Sequence, residues 1–396
     1  MRAVWFFVAA GAAAACSASA GIDDHKEPPS EVHVPDPPAP PADAGSDAPT
    51  TSFDAGPCSD CEWFPAECTT DVFCPNGPFD PSNPASLDSR TTITVIRGRS
   101  ANDVWAAGAV GGLAHFDGTS WTRSDASTQE TLRGLWLPAG AEVALGQVYQ
   151  VFARGVDVPE GGTTSPGGWS AYSPSFDFFF EYPPDGMFTA AWSAPGSDWL
   201  WCAISGSGGG LWRIRRGTDD AFEGVTGIPS DRCSTAGCNW IANIHSITAN
   251  ELWAVGAHGA AVRIKDADSD SPTVKSFNTQ TLNALRGVWE ASATDAWAVG
   301  TGGTIRHYTG DPLLWDIVDN VPTTANLNAV WGFSSSDIWA VGDAGVALHY
   351  DGKSWSRVKI AGLGSDRPSF SAVWGAAAGH VWIGGEGVIV SLGGKP

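Results

Sequence analysis

The 396-residue sequence predicts an all-β fold, a seven-bladed β-propeller of four-stranded blades, and three observations carry that prediction. First, from Thr92 onward the chain repeats itself. The clearest unit reads Leu327–Gly332, then Asp337–Gly342, then Val346–Gly352 and Ser354-Trp355. Counting from Trp105, successive units are spaced by 38, 58, 52, 44, 42 and 43 residues at the second-strand position. Seven units over residues 92–396 average about 44 residues, the length of one propeller blade. Second, 48 Gly and 27 Pro make about a fifth of the chain turn chemistry, and no stretch sustains a 3.6-residue apolar period. Third, fourteen of the 20 Trp fall at three recurrent positions. Trp136, Trp192, Trp289, Trp331 and Trp374 mark the first strand. Trp105, Trp201, Trp253, Trp297, Trp339 and Trp382 mark the second, and Trp121, Trp315 and Trp355 the fourth. Such recurrence predicts packing between blades.

The segments before the repeat follow from composition. Met1–Ala15 reads as an export signal, with Arg2 ahead of an apolar stretch too short to span a bilayer. Ala13-Ala14-Ala15-Cys16 resembles a lipoprotein box, which makes Cys16 the lipidated N-terminus. Ala18-Ser19-Ala20 offers a rival cut by ordinary signal peptidase before Gly21. Residues 16–57 are rich in Pro, Ala and Asp and poor in large apolar groups, so they read as a disordered, lipid-anchored tether. At ~3 Å per residue such a tether reaches on the order of 100 Å. The expected address is the outer membrane or cell surface, with periplasmic or secreted forms as alternatives.

Residues 58–91 hold Cys58, Cys61, Cys68 and Cys74, and Cys233 and Cys238 form a second group. In an exported chain these predict disulfides rather than a zinc site, and the cluster allows three pairings. Cys202 reads as a buried thiol. The last unit stops early, after Val388–Ser391, so an earlier segment must supply its outer strand. Trp63, in the Cys-rich segment, is the expected donor.

The repeat resembles exported bacterial propellers with tandem W-G-x(4–6)-D-[VIL]-W-A-V-G-x-x-G-x-[IL]-x-H-[YF]-D-G-x-x-W units. These are similar to the photosystem II stability/assembly-factor and bacterial neuraminidase-repeat propellers. The resemblance covers Thr92 to the C-terminus, about three-quarters of the chain, and is strong in five units. It implies fold and export but no common reaction, because propellers host many functions.

With 43 acids against 22 bases, the formal charge of −21 excludes a nucleic-acid footprint and a polybasic membrane patch. Membrane contact is expected through the lipid anchor only, and the chain is expected to be a monomer. His115, His307 and His349 occupy one repeat position and predict structure, not a metal site. Asp103, Glu251, Asp295 and Asp337 recur before the second strand and predict turn capping. Asp266–Asp270 looks like the start of a calcium loop but lacks Gly at its sixth position and Glu at its twelfth, so a solvated acidic loop is expected. No catalytic residue, metal or cofactor is predicted.

The expected function is a non-catalytic binding or scaffold propeller that engages an envelope protein or extracellular glycan through loop insertions. The alternative is an extracellular hydrolase or lyase, glycoside- or sialidase-like, on the same ring. The long second interval is filled by Gly155–Gly186, with Trp169, Tyr172, Phe178, Phe180 and Tyr182 as candidate ligand-binding aromatics. The third is filled by Arg216–Trp240, where Cys233 and Cys238 could staple a loop. Arg133 and Arg286, each two residues before a first-strand apolar-Trp pair, are candidate contacts for a carboxylate.

Overall fold

A computed structural model describes residues 60–394 except 81, 84, 149, 159, 177–186, 205–209 and 218–220. Seven sheets, each with four antiparallel strands, form a seven-bladed β-propeller. In blades one to six those four strands are added in chain order from the inner strand outward. The inner strands begin at Ile93, Gly134, Phe188, Ile241, Leu285, Leu327 and Phe370.

A single blade has two apolar faces and no core of its own. Seven hydrophobic clusters form instead, each joining neighbouring blades. The second-strand Trp of one blade meets outer aromatics of the next. Trp253 packs on Tyr308 and Trp315, Trp297 on Tyr350 and Trp355, and Trp382 on Phe116 and Trp121, with centroids 4.8–5.8 Å apart. Inside its own blade the same Trp stacks on a third-strand His. Trp105 covers His115, Trp297 covers His307 and Trp339 covers His349.

The recurrent acids have a different task from the one expected. Asp103, Asp295 and Asp337 face the ring nitrogens of His115, His307 and His349 at 2.8–2.9 Å, and two of them also accept from the indole N–H of Trp297 and Trp339. In blade four Glu251 pairs with Arg263 at the same places. The turns are capped by Ser100, Ser292 and Ser334, whose hydroxyls accept from the N–H two residues on.

A β-bulge near the start of the inner strand recurs in six blades, at Thr94, Thr189, Ala242, Arg286, Asn328 and Ser371. The extra residue leaves the ladder and is free to reach sideways. Thr94, Thr189, Asn328 and Ser371 each donate to the carbonyl that opens the next blade, of Leu132, Ile241, Phe370 and Ile93. Arg286 donates to Asn328 at 2.7 Å.

Ring closure corrects the expectation for Trp63. The outer strand of blade seven is Phe73–Pro75, paired antiparallel with Val388–Leu392 through Phe73–Leu392, Cys74–Ser391 and Pro75–Val390. Trp63 lies on a short 3₁₀ turn, Cys61–Trp63, and its carbonyl accepts from Ile360 N–H on blade six. Pro75 suits the outermost strand, where a missing donor faces no partner. Cys68 and Cys74 form a disulfide across the approach to this strand, and Cys61 is also disulfide-bonded. Cys58 and Cys16 lie outside the described residues. Phe73 is fully buried and meets Trp339 edge-on at 5.4 Å. Phe73→Ala should therefore lower the free energy of unfolding by about 3–5 kcal/mol, read by urea denaturation. A loss within experimental error of zero would show that the ring does not depend on this strand.

Candidate binding site in the axial cavity

The inner strands place one residue per blade at a common register, opposite the second-strand Trp or its equivalent. Around the ring these are Arg97, Trp136, Trp192, His245, Trp289, Trp331 and Trp374. All seven line one axial cavity of about 1020 Å³, on the face that carries the hairpins between first and second strands. The five first-strand Trp, expected only to pack, therefore also wall a site.

Their orientation follows from the following residue in the next blade. A Cβ on Gly332 would sit 2.7 Å from the Trp289 ring, and one on Gly98 would sit 2.5 Å from Trp374. Glycine leaves room for the neighbouring indole to lean across. Trp331 donates its N–H to the Gly375 carbonyl at 3.1 Å, and Trp192 donates to the Ser246 carbonyl at 3.0 Å. Trp136, Trp289 and Trp374 are buried, whereas Trp192 and Trp331 are half-buried and lie 6.1 Å apart across the axis.

Three polar groups interrupt the aromatic wall. His245 is buried and packs at 4.3 Å on Trp192, its ring tilted by 36°. Its Nδ1 accepts the Glu290 backbone N–H at 3.1 Å, which leaves the proton of the neutral ring on Nε2. Burial, then the nearby Arg97 charge, pushes its pKa down to about 3. Glu290 is buried and accepts from Ile247 N–H, and burial pushes its carboxyl up to about 7. Arg97 lies over Trp192 at 5.1 Å and donates to its neighbour's carbonyl, Ile96. Burial lowers its pKa to about 10, so it stays charged at neutral pH. Nearby Arg99 differs, being held by Asp103, Glu142 and the Pro138 carbonyl.

Of the expected loop site the structure describes Trp169 and Tyr172, and both belong to the core. Trp169 is 1% exposed, meets Trp105 edge-on at 5.5 Å and donates to Ser124. It is the fourth-strand Trp of blade two, displaced in sequence by a long preceding loop. Tyr172 is also core, on the same strand, with its hydroxyl donating to the Asp157 carbonyl at 2.7 Å. Ser175–Phe176 adds a fifth, parallel strand to blade three and covers its edge. Phe178, Phe180 and Tyr182 lie outside the described residues. Arg133 is exposed beside the inner strand of blade two, and Arg286 ties blade five to blade six; neither lines the axial cavity.

Arg216–Trp240 holds the outer strand Phe222–Ile228 and a seven-residue helix, Ser230–Ala236, that the sequence reading lacked. Cys233 and Cys238 form a buried disulfide at its end. Cys202 is a free, buried thiol whose pKa is raised by burial. In the Asp266–Asp270 loop the carbonyls of Ala267 and Ser269 accept from Arg213 of the preceding blade, a cation already in place. Among the described residues no group of three or more metal-ligating side chains converges, and no helix is long and apolar enough to cross a membrane.

Fold and cavity together define a seven-bladed β-propeller with an aromatic axial site. No protein-family model and no curated protein matches the sequence. Solved propellers do match the fold. YCF48 from Cyanidioschyzon merolae aligns with a TM-score of 0.57 at 14% identity, over 78% of this chain and 97% of that one. Virginiamycin B lyase from Staphylococcus aureus aligns at 0.56 and 12%, over 77% and 94%. The extracellular domain of a hybrid two-component system from B. thetaiotaomicron aligns at 0.56 and 12%, over 81% and 39%. Identities this low establish shared architecture only.

The two titrating groups set opposite pH limits. Glu290 has a folded pKa of about 7 against an ordinary 4.5, so the folded chain holds its proton more tightly. That stabilisation is complete below pH 4.5 and is lost as pH rises through about 7. Glu290→Gln keeps an acceptor for Ile247 N–H. It should raise the melting temperature at pH 8 and change it little at pH 5; equal shifts at both would refute the assignment. His245 acts in reverse, because its neutral form is the folded one and stability falls as pH drops below 6.5.

Proposed function

We propose that this chain is an exported, envelope-anchored binding propeller that holds a protein or glycan partner in its axial cavity and performs no chemistry on it. The observation that carries the reading is the ring of seven equivalent positions, five of them Trp, around a cavity of about 1020 Å³. That is the upper end of the size range of ligand pockets, and flat indole faces with few polar groups are what such pockets use to orient a ligand. The disulfides Cys68–Cys74 and Cys233–Cys238 support an oxidising compartment. YCF48, one of the fold neighbours, has been solved with a D1 peptide bound, which supports partner capture as a use of such a ring.

One observation favours the catalytic alternative. A carboxyl with a pKa near 7, such as that of Glu290, suits general acid–base work. The binding reading is preferred because the neighbouring His245 spends its Nδ1 on a backbone N–H and burial holds it neutral.

Co-purification from membranes tests the proposal. Ala376 is exposed on the cavity rim, so Ala376→Trp narrows the mouth without entering a core. It should reduce partner capture about tenfold or more while the melting temperature stays that of the wild type. Undiminished capture would move the site elsewhere. Cys16→Ser should release the protein from membranes or block its maturation; a wild type that is wholly soluble and begins at Gly21 would remove the anchor from the proposal.

A further inference from the structure

The axial cavity contains a cation that its own walls leave without a carboxylate partner. Arg99, two residues on, has Asp103 and Glu142. Arg97 has no ion pair among the described residues; one of its nitrogens reaches the Ile96 carbonyl, and its guanidinium carbon lies 5.1 Å from the centre of the Trp192 ring. The planar guanidinium carries its N–H groups in a fixed fork that matches a carboxylate. The half-buried Trp331, 6.1 Å from Trp192, presents an indole in the same cavity.

Building on the reading of this cavity as the binding site, we propose that its ligand is an acidic glycan, a chain of uronic acid residues, with one carboxylate on Arg97 and a pyranose face against Trp331. Two features favour a sugar acid over an acidic peptide. Five of the seven lining positions are Trp, and flat indole faces match the apolar faces of pyranose rings. Polar residues line the cavity as well, among them Ser193, Asp198 and Glu290, of types that pair with hydroxyls. The overall charge of −21 opposes an anion at long range. At physiological salt that field is screened beyond about 8 Å, so the local charge decides. Glu290, held largely uncharged below neutral pH by burial, does not cancel Arg97 there.

The test is a titration of indole fluorescence in the mature protein at pH 6 and physiological salt. The probes are trigalacturonate, the same trimer fully methyl-esterified, and tri-aspartate. The acid should bind about tenfold or more tightly than the ester, the scale of one charge-assisted fork. Arg97→Gln should erase that preference, Arg97→Lys should retain part of it, and Trp331→Phe should weaken acid and ester alike. The lysine variant carries the comparison if the glutamine variant melts early. Equal affinity for acid and ester, a preference that survives in Arg97→Gln, or tri-aspartate binding as tightly as trigalacturonate would each overturn the proposal. If neither trimer binds while Ala376→Trp still abolishes membrane-partner capture, the acidic glycan is wrong and the axial site stands. If Ala376→Trp leaves capture intact, both fail.

Discussion

Everything in this molecule depends on apolar faces that only a neighbouring blade can cover. Each of the seven cores lies between two blades, so no blade is stable by itself and the seventh core exists only when the ring is shut. The second-strand Trp is the centre of that arrangement. One side of it stacks on a His in its own blade, and the other meets the outer aromatics of the next. Closure then requires a segment from outside the repeat, and Phe73–Pro75 supplies it by pairing with Val388–Leu392. The large buried residues Phe73 and Trp339 meet at that seam.

Much of this was legible in the sequence, because a repeat converts one local pattern into a global statement. Seven copies of a blade-length unit with Trp at fixed places leave few alternatives to a propeller. The errors have physical causes. Trp169 was read as part of an insertion because the loop between third and fourth strands of blade two is long; the glycines just before it, Gly167-Gly168, were the signal of a fourth strand. Phe73–Pro75 does not stand out as the closing strand, because a segment containing proline looks unlike a strand. Pro75 is tolerated because it occupies the outermost position. The acids before the second strand were read as turn caps, since spacing along one strand does not reveal the His or Arg across from it.

The axial site was invisible for a subtler reason. Periodicity identifies equivalent residues but does not say which equivalent position faces the axis. The Trp that recur on the first strand looked like further packing, and in part they are, since Trp331 and Trp192 bond to the backbone of the next blade. What the repeat did contain was the pair of exceptions. Where five blades have Trp, blade one has Arg97 and blade four has His245. Substitutions that break an otherwise uniform apolar position were the readable sign that this position does more than fill space.

The inner-strand bulge has a consequence for how such a cavity can change. It assigns the tie between blades to one residue and the lining of the axis to another, three places further on. The bulge tie and the lining chemistry thus sit at separate positions of the same short strand, with Trp192 and Trp331 adding a second bond to the next blade. A mutation at the lining position alters one seventh of the wall and leaves the bulge tie in place. The ring behaves as a seven-letter word whose letters can be respelled one at a time, and Arg97 and His245 are the two that differ here.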